Sequence, residues 1–155
     1  MYRFLTLEEV TADQLLLLER YGGGFPGILN QGRLESAVYA PQATFGGEFL
    51  HNDLFAMAAA YLTYLVSGHA FANGNKRIGL SSALRFLYVN GVIVRSDDAA
   101  LVELVLDVIA HGRDGEAVAE FFRIHGEATE SGASLDTATE WLNRSYAPAL
   151  QKLAE

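Results

Sequence analysis

The sequence predicts an all-α domain, and two observations support this fold class. Two long segments, residues 54–66 and 75–89, carry apolar side chains at helical spacing. Only residues 43–51, which surround Gly46 and Gly47, could form a hairpin. We therefore expect a helical bundle with at most one small β-hairpin.

The composition fits one compact, soluble domain. The chain has 155 residues, of which 50% are hydrophobic and 19% charged, and it contains no cysteine. A chain of this length can bury a core without disulfide bonds, and without cysteine it has no thiolate metal site. Its longest apolar segment, residues 54–66, is too short to span a bilayer, and its N-terminus does not resemble a signal peptide. We expect a cytoplasmic protein.

Caps and helix breakers predict the elements of the first half. A first helix is expected to begin at a Thr11 cap and to end at the glycine run of residues 22–24. It is followed by a loop, FPGILNQ, and then by a short helix that ends at Pro41. The helix that begins after Asp53 is apolar around most of its circumference, which is typical of a helix at the centre of its domain.

The second half is expected to contain three more helices of this domain. The first runs from Asn75 to Val89 and ends at an Asn-Gly pair. The other two span about residues 97–111 and 115–125.

The last segment differs in composition from the rest. A polar linker, EATESGASLD, precedes TATEWLNRSYAPALQKL, whose apolar residues lie at helical spacing. Thr137 and Glu140 would form a capping box, and Pro148 should kink or divide this helix. We therefore assign residues 1–128 to the main domain, and residues 129–155 to a linker and a C-terminal amphipathic helix.

Charge is distributed unevenly along the chain. The net charge of −8 argues against nucleic-acid binding driven by phosphate neutralisation. Residues 1–53 carry seven acids and three bases, and residues 97–155 carry twelve acids and four bases. The segment between them has no acid, and its bases are Lys76, Arg77, Arg85 and Arg95. This positive segment is a suitable place for a small anion.

The start of the helix at Asn75 has the chemistry of a phosphate site. The first N–H groups of a helix lack intrahelical partners and lie at the positive end of its dipole. Gly74 lets the backbone approach an anion closely, and Asn75 can cap the helix. Lys76 and Arg77 place two cations where the dipole disfavours them, and a bound anion would explain this choice. We predict that these four residues bind phosphate.

A histidine precedes this helix by one short loop. In the segment HAFANG, Phe71 is expected to anchor the loop in the core, with His69 and Asn73 at the mouth of one cavity. His69 could then take a proton from an attacking hydroxyl. Each residue alone would more often be structural or solvated, but together before one helix N-terminus they favour a catalytic site.

The segment HAFANGNKR, residues 69–77, resembles the signature of the Fic/Doc family. That signature reads His-X-Phe-X-acid-(Gly or Ala)-Asn-(Gly or Lys)-Arg. The resemblance extends over about residues 22–122, whose flanking segments are similar to the death-on-curing (Doc) branch. It implies a Fic-fold helical bundle, in which the possible hairpin would be a small flap, and it makes residues 1–128 a Fic/Doc domain.

The resemblance also implies a role for several motif residues. His69 resembles the general base that activates a hydroxyl of the target protein. Asn75 and Arg77 resemble the groups that hold nucleotide phosphates, and Phe71 resembles the buried anchor of the loop. ATP is the implied nucleotide.

Two positions distinguish the branches of the family. Lys76 occupies a position that is glycine in adenylylating members and lysine in Doc-type toxins, and Leu80 stands where the adenylylating signature has a second arginine. Doc-like members resemble kinases that move the γ-phosphate of ATP onto a threonine of elongation factor Tu and so halt translation. The implied function is that of a Doc-like toxin of a toxin–antitoxin system. A protein nucleotidyltransferase is the alternative enzyme.

The acidic position of the signature, which helps to bind Mg²⁺, is Asn73 in this chain. An amide oxygen can ligate Mg²⁺ but supplies no charge. In addition, Leu29 and Asn30 stand where relatives often have Arg-Asp. A catalytically impaired Fic-fold binding protein is therefore a further alternative.

Many Fic proteins carry an inhibitory helix with the pattern (Ser or Thr)-X-X-X-Glu-(Gly or Asn). The only pair with this spacing here, Thr44 and Glu48, is followed by Phe49. This departure implies inhibition by a separate Phd-type antitoxin, whose disordered tail would fold as a helix on the toxin. The C-terminal helix could instead dock where an antitoxin would bind, but we favour an ordinary helix that covers the core. No direct DNA or membrane partner is expected.

Overall fold

The computed structural model describes residues 1–110, 112 and 114–154. Within them the chain forms eight α-helices and two short antiparallel strand pairs, which confirms the predicted all-α bundle with a small hairpin. The helices are α1 (Leu7–Tyr21), α2 (Gln31–Tyr39), α3 (Leu54–Gly68), α4 (Asn75–Val89), α5 (Asp98–Ala110), α6 (Gly115–His125), α7 (Leu135–Ser145) and α8 (Ala147–Lys152). The strands are β1 (Thr44–Phe45), β2 (Glu48–Phe49), β3 (Val92–Val94) and β4 (Gly126–Ala128).

The sequence predicts one of the two strand pairs and not the other. β1 and β2 form the expected hairpin around Gly46 and Gly47. β3 and β4 form a second pair, with Val92 opposite Ala128, that was not predicted. They lie on either side of α5 and α6 in the sequence, so their pairing depends on how those helices pack. The last residue of the predicted fifth helix, His111, lies outside the described residues.

The start of α1 differs from the prediction. The helix begins at Leu7 because Thr6 and Glu9 form a capping box: the Thr6 hydroxyl accepts from the Glu9 N–H (3.2 Å), and the Glu9 carboxylate accepts from the Thr6 N–H (2.9 Å). Thr11 was predicted to cap this helix, which is wrong. Its hydroxyl lies inside α1 and donates to the Leu7 carbonyl (2.9 Å).

The C-terminal helix also begins earlier than predicted. Ser134 caps α7 by accepting from the Thr137 N–H (3.1 Å), so the predicted Thr137 cap is wrong. Pro148 lies at the start of α8, and the chain divides there into two helices, as expected. Among the described helices, none is long and apolar enough to cross a membrane.

α3 and α4 pack against each other at the centre of the bundle. Gly79 permits this close contact, because a Cβ at that position would lie 2.6 Å from Val66 Cγ2 and 3.1 Å from the Leu62 carbonyl oxygen. α3 ends at Gly68 and α4 begins at Asn75. The packing of these two helices therefore fixes both ends of the loop that carries the predicted site.

Replacing Gly79 by alanine is expected to lower the free energy of unfolding by about 1–3 kcal/mol, because the added methyl group must push α3 and α4 apart. Urea unfolding would measure this change. Gly115→Ala is the matched control, since a Cβ at that helical glycine meets no atom within 4 Å. An equal loss in both variants would contradict the close contact as the cause.

The C-terminal segment contributes apolar side chains to the same hydrophobic cluster as α1, α3 and α4. The buried ones are Trp141, Leu142, Tyr146, Ala149, Leu150 and Leu153. The Tyr146 hydroxyl donates to the Val94 carbonyl (2.7 Å), and the Tyr21 hydroxyl donates to Asn143 Oδ1 (2.7 Å). α7 and α8 are thus attached to both β3 and the end of α1. The boundary at residue 128 stays a prediction.

Candidate active site

The loop between α3 and α4 is held by pairing with the loop before α2. The Leu29 N–H donates to the Ala70 carbonyl (2.7 Å), and the Ala72 N–H donates to the Gly27 carbonyl (3.0 Å). Phe71 lies between these bonds, pairs with Ile28 in an antiparallel bridge and is 1% exposed. Its ring therefore fixes the loop against the core.

The Asn75 side chain organises this loop and does not cap α4. Its Oδ1 accepts from the Phe71 N–H (3.1 Å), and its Nδ2 donates to the Phe71 carbonyl (2.9 Å). Gly74 is the N-cap residue, with φ 82°, and no side chain of the described residues caps the helix. The first turn of α4 also contains no acid. The positive end of this helix is therefore open to an anion such as phosphate.

His69 is the C-cap residue of α3 and has a left-handed backbone, with φ 48° and ψ 42°. Within the described part of the chain it is the one non-glycine residue with positive φ. Such conformations are uncommon, and they are concentrated at functional sites. The side chain is exposed. It lies one short loop before the open N-terminus of α4.

His69 also lines a cleft of about 790 Å³ between α2 and α3. A cleft of this size can admit a side chain and its neighbours from another protein. The remaining lining residues are Asn30, Gly32, Arg33, Ser36, Ala37, Tyr64, Ser67 and Gly68. These lining residues carry several hydroxyl groups and one basic side chain, that of Arg33, and none of them is acidic.

The structure turns Arg77 away from solvent. Its guanidinium donates to the carbonyls of Leu17 (2.9 Å) and Gly22 (2.8 Å) at the end of α1, and it lies over the Tyr21 ring, 5.5 Å from the centroid. Burial lowers the pKa of this guanidinium, but arginine stays charged at neutral pH. Arg77 is 0% exposed, so contact with a phosphate would require the glycine run to move.

Asn73 is likewise covered by the glycine run of residues 22–24. Its Nδ2 donates to the Phe25 carbonyl (3.2 Å), and the Gln14 side chain donates to its backbone carbonyl (3.2 Å). A Cβ at Gly24 would collide with the Asn73 side chain. The sequence pattern predicts only that this glycine run ends a helix. Three consecutive glycines exceed what a helix end needs, and that excess was the missed signal.

The residues of the site fit the phosphates of a nucleotide better than they fit Mg²⁺. The uncapped start of α4, with half-buried Lys76 in its first turn, fits phosphate. Within the described ranges, no group of three or more His, Cys, Asp or Glu residues could hold a metal. The amide oxygen of Asn73 could only be a neutral ligand, so the phosphates themselves must supply the negative charge that Mg²⁺ prefers.

A family model described as the Fic/DOC family matches residues 4–87, which is just over half of the chain. The chain belongs to the Fic/DOC family. It is 36% identical over 127 residues to the protein kinase Doc of Escherichia phage P1, an alignment that covers 81% of this chain and 98% of that protein. It is 40% identical over 75 residues to Toxin Doc of Mycolicibacterium smegmatis, which covers 48% of this chain and 58% of that toxin. Both relatives are Doc proteins, which confirms the expected Doc branch.

Proposed function

We propose that this protein is the Doc-like toxin of a toxin–antitoxin system and transfers phosphate from ATP to a hydroxyl of a target protein. One observation carries the proposal: exposed His69 ends α3 one short loop before the uncapped start of α4 at Gly74. The names of the relatives support it, since one is called a protein kinase and the other a toxin.

In the proposed reaction, the acceptor hydroxyl lies in the cleft between α2 and α3. His69 takes the proton of this hydroxyl while its oxygen forms a bond to the γ-phosphorus. The bond from the γ-phosphorus to the bridging oxygen breaks, and ADP leaves. The protein contributes mainly position and electrostatic stabilisation, from the N–H groups of α4 and the charge of Lys76. Mg²⁺, held by the phosphates and Asn73, would supply further positive charge.

The resemblance to Doc proteins supports a proposal for the target and for the partner. We propose a translation factor, elongation factor Tu in particular, as the acceptor, so that modification would inhibit translation in the cytoplasm. We propose a Phd-type antitoxin as the inhibitor, because the sequence lacks the inhibitory pattern that other Fic proteins carry.

A second candidate is a catalytically impaired Fic-fold binding protein. Asn73 supplies no charge to a metal, and Arg77 is buried against the end of α1. Nucleotidyl transfer has less support, because Lys76 and Leu80 both depart from the adenylylating signature. Leu80 is 0% exposed, so its side chain cannot contact a nucleotide.

Intact-mass spectrometry of elongation factor Tu, after incubation with this protein, ATP and Mg²⁺, tests the proposal. We expect a gain of one phosphate, and on the order of tenfold faster transfer with Asn73→Asp, because a carboxylate adds a charge beside the metal. The same change removes the donor to the Phe25 carbonyl and so loosens the glycine run.

Asn52→Asp, which adds the same charge at an exposed position in another cavity, is the control. A gain of one AMP would instead support nucleotidyl transfer. If only the Asn73→Asp variant transfers phosphate, the active site is intact except that Asn73 is an inadequate metal ligand. No modification by either protein would favour the binding protein.

A further inference from the structure

Gln14 is a buried amide of α1 that contacts the loop before α4. It is 2% exposed, and its Nε2 donates to the Asn73 carbonyl oxygen (3.2 Å), across 59 positions of the sequence. Its Oε1 accepts from none of the described residues. Burying an amide whose oxygen has no protein partner costs more than burying an apolar side chain of the same length. Within the described part of the chain, the bond to Asn73 is therefore what Gln14 contributes that an apolar residue would not.

This bond sets the orientation of the peptide unit that joins Asn73 to Gly74. In a planar trans peptide, the C=O and the following N–H point in opposite directions. The Asn73 carbonyl points to the buried side chain of Gln14, so the Gly74 N–H points away from α1. Among the described residues, none accepts a hydrogen bond from the Gly74 N–H or the Asn75 N–H. Both donors are thus available to an anion at the start of α4.

The backbone of the loop does not fix this orientation by itself. A flip of the same peptide unit would change ψ of Asn73 and φ of Gly74, and glycine accepts φ values of either sign at little cost. The flipped peptide would turn the Gly74 N–H toward α1 and present a carbonyl oxygen at the start of α4. That oxygen would repel a phosphate. The hydrogen bond from Gln14 opposes the flip because it holds the carbonyl on the α1 side.

In the observed orientation, the backbone at the start of α4 suits an anion. Gly74 has a left-handed conformation (φ 82°, ψ 14°), and Asn75 begins the right-handed helix. This succession directs neighbouring N–H groups into one concave site. Hydrogen bonds from such groups to a phosphate are charge-assisted and stronger than those between neutral groups.

We propose that Gln14 is a positioning residue for phosphate binding: it holds the peptide between Asn73 and Gly74 so that the Gly74 N–H donates to a phosphate oxygen of ATP. This inference rests on the proposed phosphotransferase function and adds to it a residue of α1, outside the signature segment. Gln14 acts through the peptide and does not itself contact the nucleotide.

Gln14→Met tests the assignment, because methionine keeps the length of the side chain and removes its donor. Calorimetry with a non-hydrolysable ATP analogue and Mg²⁺ should show affinity about 5- to 30-fold weaker than in the unchanged protein. NMR of the ¹⁵N-labelled protein gives a second readout at the atom concerned. The Gly74 amide proton should move downfield when the analogue is added to the unchanged protein, and should move much less in Gln14→Met.

Asn90→Leu is the matched control for the loss of a structural amide. The Asn90 Nδ2 donates to the Arg3 and Phe86 carbonyls (3.0 and 2.8 Å) at the opposite end of α4. This variant should lower the melting temperature at least as much as Gln14→Met, because it loses more hydrogen bonds. Its affinity for the ATP analogue should stay within about twofold of the unchanged protein.

Unchanged affinity in Gln14→Met would overturn the assignment, and so would a normal shift of the Gly74 amide in that variant. An equal loss of affinity in Asn90→Leu would attribute the effect to stability and overturn it as well. The expected losses, in a protein that transfers phosphate to no acceptor, would support the role of Gln14 and count against the phosphotransferase function. Absence of nucleotide binding in every variant, including the unchanged protein, would overturn both.

Discussion

Replacing His69 by asparagine is expected to slow phosphate transfer about 100- to 10,000-fold, the range that a positioned general base contributes. Asparagine is the better choice than alanine because it tolerates the left-handed backbone of this position (φ 48°), whereas most residues lose about 1–2 kcal/mol there. The fold should be unaffected, since the side chain is exposed. Transfer to the acceptor would be followed by intact-mass spectrometry, and nucleotide affinity by calorimetry.

Measuring both transfer and nucleotide affinity distinguishes a role of His69 as a general base from a role in nucleotide binding. A general base acts on the acceptor, so ATP affinity should change little in His69→Asn. His125→Asn is the control, because that imidazole packs against the Phe121 ring at the end of α6 and does not line the cleft. Full transfer by His69→Asn would overturn the general-base role, and an equal loss of ATP affinity would replace it with a role in nucleotide binding.

The central helices could be predicted closely because their signals are local. The prediction for α4, Asn75 to Val89, agrees with its observed bounds, since the apolar spacing is continuous and an Asn-Gly pair ends it. α6 was also placed correctly at residues 115–125. The missed caps at Thr6 and Ser134 are local too, and a search for Thr-X-X-Glu would have found the first.

The directions of the site side chains could not be predicted, because they depend on contacts between distant parts of the chain. Arg77 binds the Leu17 carbonyl, 60 positions away, and Asn73 binds the Phe25 carbonyl, 48 positions away. The sequence identified both residues as polar groups beside a helix start. Which carbonyls they would meet depends on where the end of α1 lies after folding.

The signature residues that are predicted to bind phosphate differ in whether their side chains contact the protein's own backbone. Gly74 and Lys76 lie at the open start of α4, where the sequence placed them. The side chains of Asn75 and Arg77 are instead engaged with backbone groups of the protein itself. Their phosphate contacts stay predictions, and for Arg77 they require the glycine run to open.

Deleting residues 131–155 is expected to prevent folding, because the segment completes the core. Five large side chains that it buries are Trp141, Leu142, Tyr146, Leu150 and Leu153. Each contributes about 1.5–3 kcal/mol, so together they contribute about 7.5–15 kcal/mol. That amount is comparable to the whole stability of a typical domain, about 5–15 kcal/mol. The truncated chain should therefore be insoluble, or lack a cooperative thermal transition by circular dichroism.

A point variant tests the same role without removing a segment. Leu150→Ala in the full chain should lower the free energy of unfolding by about 2–5 kcal/mol in urea, since Leu150 is 0% exposed. Gln151→Ala, at the exposed neighbouring position of α8, should change it by less than about 0.5 kcal/mol. The opposite interpretation, inhibition by the C-terminal helix, predicts a soluble truncated protein with native helix content and faster ATP turnover. That result, together with a stable Leu150→Ala variant, would show that the segment regulates activity and is not needed to complete the core.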